Sequence, residues 1–93
     1  MNIKDNDIVT FKMVSGDEVV AKVVKITDFQ GYTVSKPHGV MMAQQGFGLV
    51  PWILTVDPDT KIHIAQDAVA SVNKTHEAVA KQYIKQTTGL LMP

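Results

Sequence analysis

Residues 61–72 read "KIHIAQDAVASV". Ile62 and Ile64 alternate with polar neighbours, as one face of a strand does. Val69 and Val72 form a second short apolar set. Between them lies a polar knot, Ala65-Gln66-Asp67-Ala68. The stretch therefore predicts strand, tight turn, strand. His63 has the opposite phase to Ile62 and Ile64, which places it toward solvent or an interface.

The same alternation extends upstream. In "IVTFKMV" (residues 8–14) Val9, Phe11 and Met13 share one face, and Thr10 and Lys12 the other. Ser15-Gly16-Asp17 is a turn signal, and "EVVAKVVKI" resumes the strand with Val19, Ala21 and Val23 in phase. That spacing predicts a hairpin. After Asp28-Phe29-Gln30-Gly31, "YTVSK" reads as a third strand. Pro37-His38-Gly39 interrupts it, and Pro37 cannot donate to a ladder, so an edge, bulge or bend is expected. "VMMAQ" and "GLVPWILTV" flank Gln45-Gly46-Phe47-Gly48, read as a glycine-permitted hairpin loop. Asp57-Pro58-Asp59 is a turn fixed by proline φ and Asx hydrogen bonds.

From about Thr75 the period changes from two to 3.6. Val79, Ala80, Tyr83 and Ile84 mark one helical face, and Glu77 to Lys81 is a favourable i,i+4 pair. Thr75 is the expected N-cap and Gly89 the expected stop. The apolar tail "LLMP" needs a docking place or a partner. The fold class expected is mostly β: a small, strongly bent sheet of five antiparallel strands, or a partly open barrel, with a C-terminal helix. One domain covers residues 1–93, its β core at about 8–72 and its helix at about 75–88.

Composition narrows the function classes. Cysteine is absent, which excludes disulfide scaffolds, thiol catalysis and Cys-based zinc sites. No apolar run is long enough to span a membrane, and the acidic start "MNIKDND" is unlike a secretory signal, so a cytoplasmic location is expected. The formal net charge is zero, so no bulk field draws the chain to nucleic acid. All nine basic residues are Lys. The best phosphate fork and base-stacking cation, Arg, is therefore missing.

No catalytic or metal constellation stands out. His38, His63 and His76 have no ligand spacing. Asp57 and Asp59 lack the glycine and distal Glu of a calcium loop. There is no nucleophile elbow, phosphate loop or dinucleotide fingerprint. The chain reads as a non-enzyme with no catalytic residue, no metal and no cofactor. Phe47 and Trp52 sit among Leu49, Val50, Ile53 and Leu54, which favours packing over base stacking.

Two patterns occur in a telling order. Val9, Phe11, Met13 and Gly16 follow apolar-x-apolar-x-apolar-x-x-Gly, and Val19, Ala21 and Val23 come next. Ile64, Ala65, Gln66, Val69 and Val72 follow the register Ile-Arg-Gly-x-x-apolar-x-x-apolar. Together these resemble the two motifs of the Sm-like (LSm and Hfq) fold family, over roughly residues 8–72. The terminal helix, "SKP" and "GLVPWI" look most like the small Sm-like proteins encoded by tailed phages of cyanobacteria, which would place the protein in the host cytoplasm.

The resemblance implies assembly. Sm-like subunits pair an edge strand with a neighbour's edge strand and close into a ring, so the expected partner is the chain itself, through Ile62, Ile64, Val69 and Val72. It also implies single-stranded RNA. In RNA-binding members an Asp, an Asn and an Arg-Gly line the site. Counting from Val23, the Asp position is Thr27, with Asp28 one residue late. The Asn position is Gly31, and Arg-Gly is Ala65-Gln66. Ala21 stands where the family usually has Gly, and the helix comes last instead of first. The RNA-binding set expected is Asp28, Phe29, Gln30, Tyr32, Gln66 and Asp67, with aromatics stacking on bases and polar groups reading them. The alternative is a ring that binds protein through the helix face and tail. Neutral charge and the lack of Arg favour that alternative; the resemblance favours RNA.

Overall fold

The computed structural model describes residues 3–27 and 29–88. It is mostly β, with six strands and one helix. The strands are β1 (Ile8–Met13), β2 (Glu18–Thr27), β3 (Gly31–Ala43), β4 (Gly46–Pro51), β5 (Ile62–Ala65) and β6 (Val69–Lys74). A 3-10 turn, Gln66–Ala68, joins the last two. The helix α1 spans Glu77–Thr88.

All pairings are antiparallel, in the order β4-β3-β2-β1-β6, with β5 also on β3. Strand β3 is 13 residues long and serves two partners end to end. Its start, Gly31–Val34, pairs with β5, and its end, His38–Ala43, pairs with β4. Strands β5 and β6 are thus neighbours in sequence but lie on opposite borders of the path β5-β3-β2-β1-β6. The sheet curls and stays open between them.

Bulges produce the bend. Between Val20 and Lys22 of β2 the partner strand advances from His38 to Ser35, spending an extra residue. Lys36 there has φ +50°, and Pro37, with no N–H to offer, accepts from Trp52 N at 2.9 Å through its carbonyl. A second shift lies between Val23 and Lys25, and a third between Lys12 and Met13 where β1 meets β6. Each extra residue sharpens local twist, which lets a small sheet wrap one core.

That core holds Val9, Phe11, Met13, Val19, Ala21, Val23, Val34, Ile64 and Val72. The alternating phases of the sequence place them there, and each fully buried Val or Phe contributes about 1.5–3 kcal/mol. A second cluster lies on the outer face: Val20 and Leu49 pack against Tyr83 of α1. The outer face of β2 is therefore covered at Val20, while Glu18 and Lys22 stay exposed.

Tyr83 pins the helix to the bulge. Its hydroxyl accepts from Lys22 N at 3.2 Å and donates toward the carbonyls of Ser35 and Lys36, at 2.8 and 2.9 Å. Lys22 and Ser35 are ladder partners beside the bulge and Lys36 has no partner on β2, so the phenol supplies hydrogen bonds there that burial demands. His38 packs edge-on to the Tyr83 ring, centroids 5.6 Å apart, and its Nδ1 donates to the Lys36 carbonyl at 2.8 Å. Lys36 Nζ donates to the Thr87 carbonyl at 2.8 Å, and Gln86 Nε2 to the Leu49 carbonyl at 2.7 Å. The last contact covers part of the open edge of β4.

Burial pushes the Tyr83 phenol up from 10.0 to about 12, the Lys22 hydrogen bond acting the other way. The folded state holds this proton more tightly than the unfolded chain. The stabilisation is complete below pH 10 and is lost as pH rises through about 12, by about 3 kcal/mol for that gap. Urea midpoints are expected to fall more steeply between pH 10 and 12 in the native protein than in Tyr83→Phe. Parallel slopes would contradict the buried phenol.

Several local expectations are corrected. The hairpin loop is Gln44-Gln45, and Gly46, Phe47 and Gly48 already belong to β4. The strand of "GLVPWILTV" ends at Pro51, beyond which 52–61 form no strand. Strand β3 continues through Pro37, so the pieces before and after Pro37-His38-Gly39 belong to one strand. Thr75 does not cap α1: its hydroxyl bonds Thr10 Oγ1 at 2.9 Å, and His76 Nδ1 accepts from Ala78 N at 3.1 Å instead. Ile84 is largely exposed. Gly89 and the "LLMP" tail lie outside the described residues.

Candidate functional site

The two segments singled out in the sequence meet at one end of the sheet. The β2–β3 turn closes with Gln30 N donating to Thr27 O at 3.1 Å. Phe29 has φ +67° within it, a left-handed conformation uncommon for a non-glycine residue. Its side chain is 94% exposed, so almost no packing offsets the exposure of a large apolar ring. The 3-10 turn lies alongside, with Gln66 N donating to Gln30 O at 3.1 Å.

Gly31 makes this approach possible. Its φ is +137°, and a Cβ at this position would overlap the Ile64 carbonyl oxygen and stand 3.0 Å from Gln66 N. Only a residue without a side chain allows the turn to lie this close to β5 and the 3-10 turn.

Phe29, Gln30, Gln66 and Asp67 are all exposed at this junction. The side chains of Gln30, Gln66 and Asp67 form no hydrogen bond or ion pair with another described residue. The site thus combines a bare aromatic face, two uncommitted amides and one uncommitted carboxylate. No Lys occurs in 26–35 or 62–73, although the exposed Lys25 and Lys61 flank these segments in sequence.

Tyr32 is placed differently. It is half-buried, and its ring packs edge-on to Phe11 with centroids 5.0 Å apart. Its phase is that of Val34, toward the core. Asp28 lies outside the described residues.

The four residues expected at a subunit interface face the core of their own chain. Ile64 and Val72 are core members, and Ile62 and Val69 pack against them. What β5 and β6 have left for a neighbour is the backbone of their outer edges, with the exposed side chains of His63, Ala70, Ser71 and Asn73. Ile62 and Ile64 alternate in the sequence, whereas Val69 and Val72, three residues apart, come to the same side across the β1–β6 register shift.

Other features lie elsewhere. A cleft of about 350 Å3 lies between the end of α1, the β3 bulge and the 53–60 segment, with Pro37, Ile53, Leu54 and Val56 in its wall. On the β3–β4 hairpin Met41, Met42, Phe47 and Val50 are exposed. Trp52 packs against the core, and its Nε1 donates to Asp17 at 3.3 Å. Among the described residues no group of three or more His, Asp or Glu side chains is placed to hold a metal. No described helix is long and apolar enough to cross a membrane.

No protein-family model and no curated protein sequence matches this chain.

Proposed function

We propose that this protein is a non-enzymatic, ring-forming Sm-like protein that binds single-stranded RNA at the junction of the β2–β3 turn and the 3-10 turn. The observation that carries the reading is Phe29, 94% exposed and held in a left-handed turn tied to Gln66. An exposed aromatic in a fixed turn is a stacking platform for an unpaired base. Gln30, Gln66 and Asp67, on the two turns joined by the Gln66 N to Gln30 O bond, offer uncommitted groups for base edges, and single-stranded RNA is the nucleic acid that offers splayed bases. Tyr32 contributes mainly by supporting the turn from the core side.

Assembly is part of the proposal. Strands β5 and β6 each have one paired side and one open side, on opposite borders of the curled sheet. A border pairing with the other border of the next copy is a heterologous contact, which closes into a ring when the rotation permits. Such a ring removes both open edges.

The test is fluorescence anisotropy of a short labelled RNA at two salt concentrations. Binding that weakens at higher salt is expected, because phosphate contacts release counterions. Phe29→Ala is expected to weaken it roughly 5- to 150-fold, from about 1–3 kcal/mol per stacked base. A flat trace at high micromolar protein contradicts the RNA reading.

A second reading, a ring that binds protein, is favoured by the exposed Met41, Met42, Phe47 and Val50 of the β3–β4 hairpin, where Met42 lies opposite Phe47. Exposed apolar groups of this size mark interaction surfaces when they cluster. Under that reading Phe29→Ala leaves partner binding unchanged, and a charge at Met42 abolishes it.

A further inference from the structure

We propose that the site selects RNA bases carrying an exocyclic amine over uracil, with Asp67 as the discriminating residue. The inference rests on the RNA-binding reading above and narrows its ligand class.

An ionised carboxylate accepts hydrogen bonds and donates none. Asp67 is exposed in the 3-10 turn, with no hydrogen bond or ion pair to another described residue. No described Lys forms an ion pair with it, so the carboxylate repels phosphate and seeks an N–H donor. The Gln66 N to Gln30 O bond, 3.1 Å, ties the backbone of this turn to that of the turn bearing Phe29. A base stacked on Phe29 therefore lies beside the turn carrying Asp67.

The bases differ in what they offer there. Adenine presents its N6 amine, cytosine its N4 amine, and guanine an amine beside a ring N–H. Uracil presents a single N–H between two carbonyl oxygens, which face a carboxylate with like partial charge. The Gln30 and Gln66 amides add a donor and an acceptor each, the combination that matches an adenine edge. Where the family resemblance implies Arg-Gly, this chain has Ala65-Gln66 followed by an acid, so a neutral amide and a carboxylate stand in place of a cation.

The experiment titrates the full chain, and Asp67→Asn, with labelled oligoadenylate, oligocytidylate and oligouridylate of equal length. The native protein is expected to bind the first two roughly tenfold more tightly than the third. In Asp67→Asn the ratio is expected to approach one, because a side-chain amide both donates and accepts. The ratio is the readout, since loss of a negative charge strengthens binding to all three alike. Asp67 is exposed, so the substitution leaves the core intact. Equal native affinities, with Phe29→Ala weakening all three, overturn the selectivity and leave RNA binding standing. A ratio unchanged in Asp67→Asn overturns the role of Asp67. No binding to any of the three overturns both.

Discussion

Gly31→Ala is expected to destabilise the fold by roughly 2–6 kcal/mol. About 1–3 kcal/mol comes from forcing a side chain into a positive-φ conformation. A similar amount comes from the overlap of the new methyl with packed structure. The obstacle is backbone, the Ile64 carbonyl and the Gln66 amide, so no rotamer change relieves it. A domain of this size is stable by roughly 5–14 kcal/mol, so the loss is a large share. Two glycines serve as controls. Gly46 has φ +130° but nothing within 4 Å of its would-be Cβ, and Gly48 has open space without the positive φ. Urea midpoints should fall least for Gly48→Ala, more for Gly46→Ala and most for Gly31→Ala. If Gly31→Ala were no worse than Gly46→Ala, the close approach of the two turns would be wrong, and with it the site.

Tyr83→Ala is expected to cost about 3–5 kcal/mol, the usual range for emptying a buried aromatic position. Tyr83→Phe separates the two contributions. It keeps the ring against Val20, Leu49 and His38 and removes only the hydroxyl. It leaves the Lys22 N–H and the Ser35 and Lys36 carbonyls of the bulge without this partner, at about 1–3 kcal/mol. Fluorescence of Trp52, the single tryptophan, follows both transitions. A Tyr83→Phe midpoint equal to the native one would show that water already serves the bulge.

The inner face of the sheet was legible because its physics is local. Val9, Phe11, Met13, Val19, Ala21 and Val23 repeat with period two, and that period fixes which side meets the core. The outer face of β2 was not, because Val20 is buried by a helix more than fifty residues later in the sequence. The Gln44-Gln45 turn was missed because glycine drew the loop toward 46–48, whereas β4 begins at Gly46. His76 replaced Thr75 as the cap because Thr75 is engaged by Thr10 across the sheet.

The site divides in the same way. The order of the two motifs brought Phe29, Gln30, Gln66 and Asp67 into one set, and the Gln66–Gln30 bond joins their backbones. Tyr32, expected to stack on bases, shares the phase of Val34 in β3 and packs on Phe11 instead. Ile62, Ile64, Val69 and Val72 were read as an edge that joins subunits. Their apolar side chains pack in the core of their own chain. The role of Gly31 depends on a contact with β5 that no local pattern encodes.

Light scattering behind size-exclusion chromatography, with and without a short single-stranded RNA, tests the central claim most directly. The expected result is a single species of several times the 10.2 kDa chain mass, gaining the mass of the RNA when it is present. A 10.2 kDa monomer whose mass is unchanged by RNA would contradict it.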